Sequence, residues 1–316
     1  MEREVPDKGF GSIRFGLSNQ NLYLGRCYGL SALIDLSSGA MTTFQSIVYA
    51  IIHGITPFLP VSTSAHDILI PYCLGWQPAP EALLSIMTIS SALSLLVFFR
   101  HDWASMISCL LQVILFRKKP MTLDERLPLF IGISLLPILL ISPYLFRMTH
   151  ATTWNPLIVT LIFAGVGFPL WFFDSMSRRN KGVYDWNWLD ALIVGGIGSL
   201  TVVPGFDLIA GLLIAGLFLN YRKETAAKYA YFVMFPILLI RGISTLKELD
   251  FHSSLAAEDL SWLSFGIAGV ITFLIGLLTL GGFMKHIQQK GLAQYSIYRW
   301  VVALGVCLTY WIRSQS

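Results

Sequence analysis

The sequence predicts an all-α, polytopic membrane helix bundle with two re-entrant helical hairpins of opposite orientation. Three observations carry this prediction. Only 13% of the 316 residues are charged and 55% are hydrophobic, against roughly 25% charged in a soluble domain. Apolar runs near the ~20 residues needed to cross a bilayer recur along the chain. Two proline-centred breaks interrupt otherwise apolar stretches in the two halves. In each, a glycine and a proline stand six residues apart with a threonine between them, Gly54 to Pro60 and Gly198 to Pro204. A helix does not run undisturbed through such a break. Inside a bilayer, broken backbone survives only where protein buries it or a cavity solvates it.

Taken in order, residues 1–40 differ from the rest. They hold four basic residues (Arg3, Lys8, Arg14, Arg26), four acidic ones (Glu2, Glu4, Asp7, Asp35) and no apolar run of signal-sequence length. They read as a disordered or misassigned extension ahead of Met41. Residues 41–316 read as a single integral-membrane domain. Spans are expected at about 81–99, 127–146, 157–174, 228–246, 262–281 and 295–312, and the shorter stretch 104–116 as interfacial or partly embedded. Segments 43–76 and 190–219 are each too broken for one span and read as helix–turn–helix hairpins.

Loop charge orients the bundle. Arg100, Arg117, Lys118, Lys119 and Arg126 cluster in one loop; Arg178, Arg179 and Lys181 lie in another, Arg222, Lys223 and Lys228 in a third, and Lys285 with Lys290 in a fourth. Such loops face the cytoplasm. The 247–259 loop carries Glu248, Asp250, Glu258 and Asp259 against one lysine and reads as external. Counting spans from these anchors opens hairpin 190–219 to the cytoplasm and hairpin 43–76 to the outside. The two would be inverted repeats with tips near the midplane, a pattern that marks a central site.

The net charge of +4 is small and forms no basic stripe that would suit nucleic acid. Cys27, Cys73, Cys109 and Cys307 lie far apart without a Cys-x-x-Cys pair, and read as small apolar residues.

The run from His53-Gly54-Ile55-Thr56-Pro57-Phe58-Leu59-Pro60 through Val61-Ser62-Thr63-Ser64-Ala65-His66 resembles the first signature of the undecaprenyl-diphosphate phosphatase family, also called the bacitracin-resistance family. That signature reads roughly E-G-x-T-E-F-L-P-V-S-S-x-G/A-H. Pro204-Gly205-Phe206 is similar to the opening of the family's P-G-x-S-R-S-G motif, and the likeness continues through Ala226-Ala227-Lys228-Tyr229 to Pro236 and again at Ile297-Tyr298-Arg299. It covers about 41–313. The resemblance implies a multi-pass protein of the bacterial inner membrane that removes a phosphate from the polyprenyl diphosphate carrier of cell-wall synthesis. It implies a divalent metal, Mg or Ca, and polyprenyl phosphate or diphosphate and membrane lipids as partners, with a homodimer left open.

The chain departs from the motifs at charged positions. The family's two glutamates fall at His53 and Pro57, its arginine at Leu208, the flanking serines at Asp207 and Ile209, and the next glycine at Ala210. Cleaving a diphosphate calls for cations, usually a carboxylate-held metal and an arginine fork. The candidates left by resemblance are His66, Thr63 and Ser62 for catalysis, and Ser64, Gly205, Asp207 and His53 for binding substrate, Asp207 replacing a lost acid. Thr63 and His66 would form a hydroxyl–imidazole pair, although such residues also cross-link membrane helices. His53, His66, Asp67 and Asp207 would form a relocated metal site if the hairpin tips converge; alternatively Asp67 and Asp207 are helix caps. Arg241, towards the outer end of a span, either snorkels or meets the phosphate. Arg299, between Tyr298 and Trp300, reads as part of an interfacial belt. Two functions therefore stand side by side, a polyprenyl-diphosphate phosphatase and a non-catalytic polyprenyl-phosphate binder or translocase. A transporter of another small anion, or a regulatory partner of wall-synthesis enzymes, is a weaker third.

Overall fold

The computed structural model describes residues 41–116, 122–150, 154–248 and 262–315. The expected N-terminal extension, basic residues 117–119 and most of the acidic loop lie outside the described residues. Eleven helices are described: α1 (Thr43–Ile55), α2 (Thr63–Leu74), α3 (Glu81–Phe98), α4 (Arg100–Phe116), α5 (Leu123–His150), α6 (Pro156–Met176), α7 (Trp188–Gly198), α8 (Leu208–Phe218), α9 (Lys223–Glu248), α10 (Trp262–Gln289) and α11 (Ala293–Gln315).

Local chemistry sets the ends of the broken segments. Thr42 and Gln45 close a capping box that starts α1, with bonds of 3.2 and 2.8 Å. Pro57 and Pro60 cannot extend that helix, so residues 56–62 form a turn. Ser62 caps α2 by accepting the Ala65 N–H at 3.3 Å, and Gly75 ends α2 in the left-handed conformation. In the second half Asn187 caps α7 at the Asp190 N–H, 2.9 Å away. That helix passes into a 3-10 turn (Ser199–Val202) before Pro204 stops it. Helix α8 is apolar all round and buried on every side from Ile209 to Leu217, as a helix at the centre of a bundle must be.

Five helices are long and apolar enough to cross a membrane: Glu81–Phe98, Glu125–Leu145, Pro156–Met176, Lys223–Lys247 and Leu263–Gln289. The sixth expected span folds as the 23-residue helix α11. It stands outside that group because Gln294, Tyr298, Arg299, Tyr310 and Arg313 dilute its hydropathy. Stretch 104–116 lies in α4, whose Ile107, Leu111, Ile114, Leu115 and Phe116 are exposed. Exposed leucines such as Leu140, Leu278 and Leu304 stud the outer surface of the long helices, which suits a protein solvated by lipid tails.

Long helices flank each broken segment. Helix α10 runs along α1 and α3, α9 along α3 and α8, α5 along α7, and α11 along α6, which touches α2 and α8. A layer of buried rings crosses the middle of this packing. Phe58 from the first turn, Phe99 beside α3, and Tyr231 and Phe232 on α9 are all at most 5% exposed. Their centroids lie 5.3–6.4 Å apart in tilted or edge-on pairs, the preferred aromatic geometry. Tyr231 donates its hydroxyl to the Phe58 carbonyl at 2.6 Å, so the layer is bolted to the turn.

Candidate functional site

The two turns meet. The Ser62 N–H donates to Asp207 Oδ2 at 3.2 Å, and the Gly205 N–H donates to Ser64 Oγ at 3.3 Å. Residues 145 and 141 positions apart are thereby joined at the N-termini of α2 and α8. Glycine is required at 205. Its φ is +92°, and a Cβ would lie 2.8 Å from the Val159 carbonyl and 3.0 Å from the Phe163 nitrogen. Ser62 holds φ +65° without being glycine, a costly conformation that surrounding contacts must enforce. Its N–H, its hydroxyl and its carbonyl are all bonded.

Arg299 ties the junction together. It is fully buried. Its Nε donates to the Pro60 carbonyl at 2.8 Å, and Nη1 donates to the carbonyls of Phe163 at 3.0 Å and Gly205 at 3.4 Å. Nη2 stands 3.8 Å from Asp207 Oδ2, and the guanidinium lies 4.9 Å from the centre of the Phe163 ring. One cation thus reaches both proline-centred turns. The sequence reading placed Arg299 in an interfacial belt; the structure places it at the centre, and its aromatic neighbours Tyr298 and Trp300 hid this.

A cavity of about 170 Å³ opens beside the junction. It is lined by His53, Pro57, Thr63, Ser64 and Asp67 from the first hairpin and by Thr201, Phe206, Asp207 and Leu208 from the second. Glu81, Ser85 and Thr88 of α3 and Arg241 and Thr245 of α9 complete it. A second hollow, of about 630 Å³, lies at the other end of α9 among Asp102, Trp186, Lys228, Tyr229 and Phe232.

The structure sorts the sequence candidates. Thr63, Ser64, His53, Asp67 and Asp207 all reach the cavity. His53 Nε2 lies 2.8 Å from Asp67 Oδ1, while its buried Nδ1 has no hydrogen-bond partner among the described residues. Ser62 is wholly buried and Gly205 supplies backbone to the junction. His66 is not part of the cavity lining. Its Nδ1 lies 2.7 Å from the Ser62 carbonyl and its Nε2 2.7 Å from the Tyr298 hydroxyl, with the two rings stacked. Both ring nitrogens are therefore engaged in holding α2 to its own cap and to α11.

His53, Asp67 and Asp207 line one cavity but are not turned towards one point. Asp67 is turned to His53, whereas Asp207 is turned to the Ser62 N–H and Arg299. Among the described residues, no group of three His, Cys, Asp or Glu side chains is placed to hold a metal ion. Mg and Ca take several oxygen ligands, and the described residues at the cavity do not offer such a set for the ion that the resemblance implied.

Fold and site together define a multi-pass membrane protein with a polar hollow where two helix–turn–helix elements join, deep among apolar helices. Residues 46–305 match the family model described as Bacitracin resistance protein BacA, and the chain belongs to that family, whose members are multi-pass proteins of the bacterial inner membrane. It is 29% identical over 269 residues, covering 84% of this chain and 98% of the relative, to "Undecaprenyl-diphosphatase 1" of Pseudoalteromonas translucida (strain TAC 125).

Proposed function

We propose that this protein binds the phosphate head of a polyprenyl phosphate or diphosphate lipid in the cavity at the hairpin junction, without hydrolysing it. One observation carries the reading. His53, Pro57 and Leu208, the positions at which the family motifs set two glutamates and an arginine, line the same cavity. The place for the head group is kept, while the groups that hold a metal and clamp a diphosphate have been exchanged. The Thr63 and Ser64 hydroxyls and the His53 imidazole offer hydrogen bonds to phosphate oxygens, and the apolar outer surface offers the chain of the lipid a path. If the hairpins enter from opposite faces as inverted repeats, such a binder is suited to presenting the head group to either leaflet.

Hydrolysis to the monophosphate is the second reading. It is favoured by the His53–Asp67 pair and the Thr63 hydroxyl lining one hollow, and by the name of the 29% identical relative. Detergent-purified protein separates the two. Saturable binding of polyprenyl monophosphate, with no phosphate released from the diphosphate under Mg²⁺, Ca²⁺, Mn²⁺ or Zn²⁺, is expected. Phosphate release that Thr63→Ala abolishes would establish the hydrolase instead. Failure to bind either lipid and failure to release phosphate would remove both.

A further inference from the structure

We infer that Arg241 supplies the guanidinium that grips the phosphate, in place of the arginine that the family motif would set at Leu208. The inference rests on the binding reading above. Arg241 and Leu208 line the same cavity from different elements, α9 and the start of α8. A cation has left the hairpin and another faces the same space from across it.

The charges at the two turns themselves are already engaged, while Glu81 stands on the cavity wall. Asp67 is bonded to His53 at 2.8 Å. Asp207 is held by the Ser62 N–H and stands 3.8 Å from Arg299, whose remaining bonds go to backbone carbonyls. Arg299 is therefore committed to the fold through Nε and Nη1, and among the described residues its buried Nη2 alone of the three nitrogens lacks a hydrogen-bond partner. Among the described residues, no carboxylate lies within 4.0 Å of the Arg241 guanidinium. Among the described residues it faces the hollow without a carboxylate partner.

The backbone beneath Arg241 is fixed. A Cβ on Gly242 would stand 2.6 Å from Ile89 Cγ1 and 3.2 Å from the Ser85 carbonyl, so α9 lies hard against α3 at this level. Arg241 also precedes the end of α9 at Glu248 by seven residues, roughly 10 Å of helix rise. Arg241 lines the hollow while remaining exposed, and a charge on an apolar spanning helix marks an ion or substrate path unless a partner neutralises it or it snorkels to the interface. A planar fork that matches phosphate oxygens two at a time is the chemistry arginine is suited to.

The test titrates full-length protein in detergent with polyprenyl monophosphate, with unphosphorylated polyprenol and inorganic phosphate in parallel arms. Arg241→Gln should weaken the phosphorylated lipid on the order of 10- to 100-fold and leave polyprenol unchanged. Arg241→Lys, which keeps charge without the fork, should fall between. Leu208→Arg added to Arg241→Gln should restore part of the loss. Inorganic phosphate that competes only with intact Arg241 present would locate the contact at the head group itself. Wild-type protein that binds no phosphorylated lipid would defeat the proposed function and this inference with it. Wild-type binding that Arg241→Gln leaves intact would defeat this inference alone. Equal loss for polyprenol, or a lowered unfolding midpoint without lipid, would show Arg241 to be structural and overturn it too.

Discussion

Replacing Arg299 by methionine should unfasten the two turns from each other. The substitution keeps a long apolar side chain but deletes the bonds to the Pro60 and Phe163 carbonyls, at 2.8 and 3.0 Å, the longer one to Gly205, and the cation facing Asp207. Leaving a buried carboxylate without its countercharge costs about 3–5 kcal/mol. The two short bonds add about 1 kcal/mol each, and the buried methionine returns about 1–2 kcal/mol. The net expectation is about 4 kcal/mol of lost stability. Asp207→Asn in the same chain removes the stranded charge and should recover about half of that, whereas Asp207→Asn alone should cost less than Arg299→Met alone. Reversible denaturation of the purified protein in mixed micelles measures all four corners of this cycle. The reasoning fails if Arg299→Met unfolds within about 1 kcal/mol of wild type, or if Asp207→Asn makes it worse.

Two further outcomes follow from the same geometry. Gly205→Ala forces a side chain into a left-handed conformation and against the Val159 carbonyl at 2.8 Å; the stability loss should exceed about 2 kcal/mol, and an unchanged denaturation midpoint would refute the close approach of this turn to α6. Glu81→Gln removes an anion from the cavity wall, so affinity for polyprenyl monophosphate should rise by about 2- to 5-fold; weaker binding would mean that Glu81 helps to hold the ligand.

Much of the architecture was legible in the residue order because apolar run length and Gly/Pro punctuation are local signals. The runs at 81–99 and 157–174 reappear as α3 and α6, within a few residues at either end. The breaks at Pro60 and Pro204 become two turns that share Arg299. What could not be read was which polar group faces which. His66 stands in a motif associated with chemistry, yet only the packing of α11 shows Tyr298 on its Nε2. Arg299 lies 239 residues from the carbonyl it binds, and no local pattern reports such a distance. His53 and Asp67 are 14 apart, across a turn whose path depends on Ser62 adopting φ +65°. The cue that could have exposed Arg299 was an arginine flanked by apolar Ile297 and Val301 rather than by other charges.

The ring layer of Phe58, Phe99, Tyr231 and Phe232 lies between the two hollows. On α9 the site touches Met234 and residues beyond, while the larger hollow ends at Phe232. The two hollows are thereby kept apart along α9. Joining the two hollows would mean parting rings that are at most 5% exposed and breaking the Tyr231–Phe58 bond, so that one tyrosine bolts them apart.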